Sequence, residues 1–169
     1  MQRVREQWEG RLVIHDTMSD AARIMQAARR EIRDGATVIA IDHLQSLSLD
    51  GVTDDTHAVS NISRMFKALS REFNVTVILL SQLGRSVELD SKKRPALRHL
   101  RQSGAIEEDA NQVLMLYRDA YYDPKTSDVG IMEVHVQKNK LGKVPVVVRV
   151  QWDADTATVN NLRLDSWAQ

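Results

Sequence analysis

The sequence predicts an α/β fold with a mainly parallel central sheet, helices as right-handed crossovers and an antiparallel hairpin at the C-terminal end. Three observations predict it. Thr37-Val38-Ile39-Ala40-Ile41-Asp42 and Val75-Thr76-Val77-Ile78-Leu79-Leu80 are nearly continuous apolar runs, the pattern of parallel strands covered on both faces. Between them Val59, Ile62, Phe66, Leu69 and Phe73 recur at helical spacing, which marks an amphipathic helix. After another buried run, Gln112–Tyr117, strands near Ile131–Gln137 and Val144–Gln151 are joined by a short turn containing Gly142.

The remaining elements follow in order. Leu12-Val13-Ile14 is short, β-branched and followed by the breaker-like His15-Asp16-Thr17, and reads as a buried strand. Ser19 is the expected N-cap of the next helix, where Ala21, Ile24, Met25, Ala28 and Ile32 form an apolar stripe and Gly35 marks the end. From Leu83 to Ser103 the chain is polar and basic, with Arg85, Lys92, Lys93, Arg94, Arg98 and Arg101, and reads as a long loop holding a short helical turn. A last short strand is expected near Thr156–Asn160. There is no internal repeat or linker, so residues 1–169 are expected to belong to a single domain.

Composition excludes several classes. Lys+Arg and Asp+Glu both total 23, so any basic surface must be local rather than global. The chain has no cysteine, which excludes a disulfide framework and thiolate-bound zinc and fits a reducing cytoplasm. No apolar run approaches the roughly 18–20 residues that span a bilayer, and the charged N-terminus is not a secretory signal. The expected location is cytoplasmic, with no membrane partner. The five histidines show no zinc-ligand spacing, and the three tryptophans are dispersed and read as packing residues.

Four places can carry chemistry. In open α/β sheets ligands gather at the C-terminal ends of the parallel strands, where Asp42 and Ser81-Gln82 fall. A carboxylate there can hold Mg²⁺ beside nucleotide phosphates; taken alone, a strand-end carboxylate capping the next turn is the commoner reading. The Gln82 amide can bond a γ-phosphate or its attacking water, or be a polar turn residue. In Arg94–Glu108, Arg101 with a Ser103-Gly104 turn can present a guanidinium and backbone N–H groups to a phosphodiester, Gly104 allowing close approach; a solvated basic loop is the alternative. Lys138-Asn139-Lys140-Leu141-Gly142-Lys143 is a basic hairpin, able to stabilise a phosphoryl group or simply solvated.

The order and spacing of these pieces carry a family likeness. Val38-Ile39-Ala40-Ile41-Asp42-His43-Leu44-Gln45, Ile62-Ser63-Arg64-Met65-Phe66-Lys67-Ala68-Leu69 and Leu80-Ser81-Gln82-Leu83-Gly84-Arg85-Ser86 resemble the DnaB-type replicative DNA helicases. So do Leu100-Arg101-Gln102-Ser103-Gly104-Ala105-Ile106-Glu107-Glu108, Leu116-Tyr117-Arg118-Asp119-Ala120-Tyr121-Tyr122 and the Lys138–Gly142 turn. The likeness covers roughly Leu12 to Leu162 and implies a RecA-like three-layer sandwich, present in part, from a motor that uses ATP and Mg²⁺ to unwind DNA as a hexameric ring around single-stranded DNA. It implies that Asp42 is the Walker B aspartate and metal partner. It makes Gln82 the γ-phosphate sensor, and Lys138 and Lys140 the pair that reaches a neighbouring subunit's ATP. Arg85, Arg101, Gln102 and Gly104 would be the DNA-contacting residues. Primase and a helicase loader are the partners it implies.

Three departures qualify the likeness. No Gly-x-x-x-x-Gly-Lys-Ser/Thr occurs in the chain, so the loop that cradles phosphates and the strand bearing the water-activating glutamate are expected upstream, and the chain reads as a fragment or a degenerate relative. Lys140 stands where arginine is usual, keeping charge but losing the bidentate fork. Gln102 stands in place of glutamate and Arg98 in place of an acid, both making the DNA-facing loop more positive. The competing reading is an ATPase-inactive module that binds single-stranded DNA or assists ring assembly; a recombinase-like or clock-protein-like relative is a third.

Overall fold

The computed structural model describes residues 10–91, 93–100 and 103–162. Helix α1, Ala21–Arg33, begins at Asp20, whose side chain accepts the Arg23 N–H at 2.8 Å. The expected cap, Ser19, is one residue too early: its carbonyl instead accepts the Ser48 N–H. Gly35 follows the helix with φ +107°, a conformation open to glycine alone at little cost. Leu12-Val13-Ile14 forms no strand and is exposed; among the described residues no strand pairs with it.

Strand β1, Val38–Ile41, pairs in parallel with β2, Thr76–Leu79, matching Val38 to Thr76 and Ile41 to Leu79. The crossover between them is helix α2, Asp55–Phe73. Asp54 caps it by accepting the His57 N–H at 2.7 Å, and Asn74 ends it in the left-handed region. The α2 stripe buries Val59, Ile62, Phe66 and Leu69, and the last three with Leu44 have essentially no exposed surface. Ala21, Met25 and Ala28 of α1 join the same core.

Helices cover only one face of the β1–β2 pair. Ile39, Ile41, Val77 and Leu79 pack on the core, whereas Val38, Ile78 and Leu80 are each more than 40% exposed. Both strands were expected to be covered on both faces; among the described residues the second cover is absent. The polar segment forms short helices α3, Ser86–Leu89, and α4, Ser103–Asp109, with a 3-10 turn at Leu97–His99.

Four strands follow as an antiparallel sheet in sequence order: β3, Gln112–Tyr117; β4, Ile131–Asn139; β5, Val146–Asp153; and β6, Thr158–Asn160. A short helix α5, Asp119–Tyr122, separates β3 from β4. Strand β3 also alternates, burying Val113, Met115 and Tyr117 and exposing Leu114 and Leu116, rather than being buried throughout. Parallel and antiparallel parts are both present, as two separately hydrogen-bonded sheets.

A one-sided sheet predicts unequal mutational costs. Leu44→Ala and Phe66→Ala should each lower the free energy of unfolding by about 2–5 kcal/mol, whereas Ile78→Thr should cost less than about 1 kcal/mol. Urea denaturation followed by circular dichroism measures all three; equal losses would mean that Ile78 is covered in solution.

Candidate functional site

Parallel pairing puts the ends of β1 and β2 on one edge. Asp42 follows β1 directly, its side chain 77% exposed and 3.8 Å from His43 Nδ1. The ladder continues past the strands: Leu80 N–H donates to Ile41 O and Leu44 N–H donates to Leu80 O. Buried Leu44 starts a 3-10 turn, Leu44–Ser46, that turns Gln45 back onto the β2 end. The Gln45 amide donates to Ser81 Oγ at 2.9 Å and accepts the Gln82 N–H at 3.1 Å. Gln45 thus ties the Gln82 backbone to the loop that carries Asp42, while the exposed Gln82 side chain makes no hydrogen bond among the described residues. Gln45 was missed as a site residue; its signal was the polar side chain next to Leu44 just after a strand-end acid.

The basic segment is folded back by carboxylates. Leu83 bridges Leu100, and Gly84 N–H donates to His99 O at 2.7 Å. Arg94 makes a two-pronged bond to Glu133, both contacts 3.0 Å, and lies 4.6 Å over the Tyr117 ring. Arg98 pairs with Asp90. Asp90 lies beside the charge that Arg98 brings to this segment, and the Arg98 side chain is still largely exposed. Lys93 lies over the Tyr122 ring. Arg85 is exposed and makes no ion pair among the described residues. Arg101 and Gln102 lie outside the described residues. Gly104 sits in the first turn of α4, not in a Ser103-Gly104 turn, because the segment from Ser103 already winds as helix.

Arg94 bonding holds the Glu133 carboxyl below the usual glutamate range despite its burial, with His135, whose Nε2 is 2.6 Å away, adding to the effect. Burial first, then the bond from its hydroxyl to Asp119 at 2.6 Å, pushes Tyr117 up to about 12.

Lys138 and Lys140 fare differently. The Lys138 ammonium donates to the carbonyls of Glu107 and Glu108 at the end of α4, the place where a helix carries partial negative charge. The Lys140 side chain is exposed, and its backbone N–H donates to Asn111 O at 3.0 Å. In the turn, a Cβ on Gly142 would stand 2.7 Å from Asn139 Nδ2, so the residue must be glycine unless Asn139 shifts.

Trp152, expected only to pack, also lies 4.9 Å beneath the Arg118 guanidinium and lines a cleft of about 580 Å³ with Tyr121, Val129 and Ile131. The fold alone brings Arg118, after β3, beside Trp152 on β5.

Residues 1–161 match the DnaB-like helicase C terminal domain family. The chain is 40% identical over 140 residues to the replicative DNA helicase DnaC of Bacillus subtilis, covering 80% of this chain and 31% of that protein. It is 41% identical over 140 residues to the replicative DNA helicase DnaB of Geobacillus stearothermophilus, with the same shares. A solved ATPase domain superposes with a TM-score of 0.80 at 36% identity, over 86% of this chain and 52% of that one. A DnaB-like replicative helicase, solved in a study of its interactions with primase, superposes with a TM-score of 0.82 at 34% identity, over 89% and 36%. The chain spans about a third of the length of these curated relatives.

The Arg94–Glu133 pair carries a pH signature. Because the Glu133 pKa is lowered on folding, its contribution is complete above the ordinary glutamate range and is lost as pH falls through the depressed value. Glu133→Gln should cost about 1–3 kcal/mol at neutral pH and flatten the acid limb of stability, measured by urea denaturation between neutral and strongly acidic pH.

Proposed function

The chain belongs to the DnaB-like helicase C-terminal domain family, and we propose that it is the C-terminal part of the motor of an ATP-dependent replicative DNA helicase. In this reading it works within a homo-hexameric ring around single-stranded DNA in the cytoplasm. The observation that supports the reading most directly is the common edge shared by Asp42 and Gln82, with Gln45 tying one loop to the other. A triphosphate at that edge meets an acid and a free amide together. The curated relatives are replicative helicases, which favours a motor part over a module without ATPase activity.

Asp42 would hold Mg²⁺, directly or through water. The Asp42 carboxylate is 77% exposed at the strand end, which suits an ion that keeps several waters and takes one or two carboxylates plus substrate phosphates. Bound there, the ion supplies neutralisation of phosphate charge. Gln82 bonds the γ-phosphate, and Lys140, with Lys138 behind it, reaches the triphosphate of the neighbouring copy. Arg85, Arg101, Gln102 and Gly104 contact the DNA backbone. Primase and a loader are the expected partners. No helix of the described residues is long and apolar enough to cross a membrane.

The phosphate-cradling motif is not in this sequence, so the decisive test joins the chain to the part of the Geobacillus stearothermophilus helicase that precedes its matched region. The chimera should unwind a forked duplex, and Asp42→Asn should lower its ATP hydrolysis roughly 10–100-fold, the scale on which a metal's supporting ligand matters. A chimera that assembles and hydrolyses ATP equally well with Asp42→Asn would overturn the assignment. In the same background Arg101→Ala should weaken single-stranded DNA binding for every sequence and lower the salt slope by about 0.7, measured by fluorescence anisotropy.

A further inference from the structure

One cation beside the hairpin belongs to none of the groups above. Lys67 lies on α2, and its ammonium donates to Asn111 Oδ1 at 2.5 Å. The main-chain oxygen of that same asparagine accepts the Lys140 N–H at 3.0 Å. Asn111 therefore holds Lys67 with one oxygen and the root of the hairpin with the other. It stands just before β3, so its carbonyl is placed by the register of the antiparallel sheet.

Neighbouring contacts make this junction stiff. Buried Ser63, one turn before Lys67 on α2, donates to Asp109 Oδ2 at 2.7 Å and binds α2 to the end of α4. Lys138 holds the last carbonyls of α4. The pairing of Val113 with Lys138 and of Leu114 with Val136 leaves Gln137 as the extra residue of a bulge, the usual device for re-aiming a strand end. Beyond the bulge, Lys138 turns inward to α4 and the Lys140 side chain stays outside. Burial and then repulsion from Lys140 and Arg71 keep the Lys67 pKa below the ordinary lysine value, with Asp109 opposing. Lys140 and Arg71 repel the Lys67 ammonium, and an arriving polyanion relieves that repulsion.

We propose that Lys67, acting through Asn111, is a positioning residue that sets where Lys140 stands. It touches no reacting group itself. The idea rests on reading Lys140 as a phosphate-reaching cation, and it adds the element on which the aim of that cation depends.

The test uses this chain with inorganic tripolyphosphate as the probe. Amide hydrogen exchange at Lys140 is measured by NMR, alongside tripolyphosphate affinity, in the unaltered chain and in Lys67→Met and Lys67→Arg. Lys67→Met should speed Lys140 exchange and weaken tripolyphosphate binding by about tenfold each, the effect of one charge-assisted hydrogen bond. Exchange at Leu44 and Leu80, whose N–H groups close the β1–β2 edge, should not change and reports that the fold is intact. Lys67→Arg keeps a donor and a charge and should recover most of both. Unchanged Lys140 exchange in Lys67→Met overturns the proposal, as does a loss that Lys67→Arg does not repair. If Lys67→Met speeds Lys140 exchange while Lys140→Ala leaves ATP hydrolysis by the chimera unchanged, the phosphate-reaching role fails and the positioning role stands.

Discussion

Burial of one stripe of α2 against one side of the β1–β2 pair organises the rest of the molecule. Ile62, Phe66 and Leu69 close over Leu44, and these four are the largest side chains fully removed from water. Each contributes on the order of 1.5–3 kcal/mol by burial. Their packing forces β2 to lie parallel to β1 after the helical crossover, so both chains leave the sheet at the same edge. Leu44 has a second role there. Its side chain is core and its N–H closes the ladder onto Leu80, so the turn after Asp42 is held by the same burial that holds the helix. Gln45, next in sequence, then has no choice but to face Ser81 and Gln82.

A chain of zero net charge still sorts its charges locally. Arg94 and Arg98, in the stretch richest in cations, are matched by Glu133 and Asp90. These pairs staple an irregular segment to the antiparallel sheet and to itself, which a loop of that length needs if it is to hold one shape. The Lys67, Lys138 and Lys140 corner is sorted differently: carbonyls and an amide oxygen make the direct hydrogen bonds to the ammonium groups, and the nearby Asp109 carboxylate bonds Ser63 instead. Oxygen dipoles hold ammonium groups in place without cancelling their charge, and this leaves the corner attractive to an anion.

Periodic elements were legible in the sequence and their surroundings were not. The three-and-four spacing of α2 and the apolar runs of β1 and β2 each have one physical cause, and the structure follows them. Leu12-Val13-Ile14 has the same local composition, but a strand exists only where another strand accepts its hydrogen bonds, and none among the described residues does. The run Val38–Ile41 shows that both faces of the strand are apolar; it cannot say which chain covers each. At the site, Asp42 and Gln82 were legible because strand ends are visible as changes from apolar to polar. Gln45, Asn111 and Lys67 were not, since their importance lies in contacts made across 37, 29 and 44 residues of chain. The stack of Arg118 on Trp152 was hidden for the same reason: the two residues stand on either side of two strand connections.

The two sheets carry different halves of the chemistry proposed here, and their connection is continuous. Gln82 adjoins Leu83, which bridges Leu100; Gly84 hangs from His99 by a 2.7 Å bond. Three residues beyond Leu100 α4 begins, and its last carbonyls hold Lys138. The Gln82 loop is thus joined to Leu100 through the Leu83 bridge, and the end of α4 is joined to the hairpin through Lys138. Lys67 and Asn111 tie the base of the hairpin to α2, whose apolar stripe is the core. A motor needs such an arrangement, in which one end of a loop shifts with the state of a phosphate while the frame that aims the neighbouring cation stays fixed.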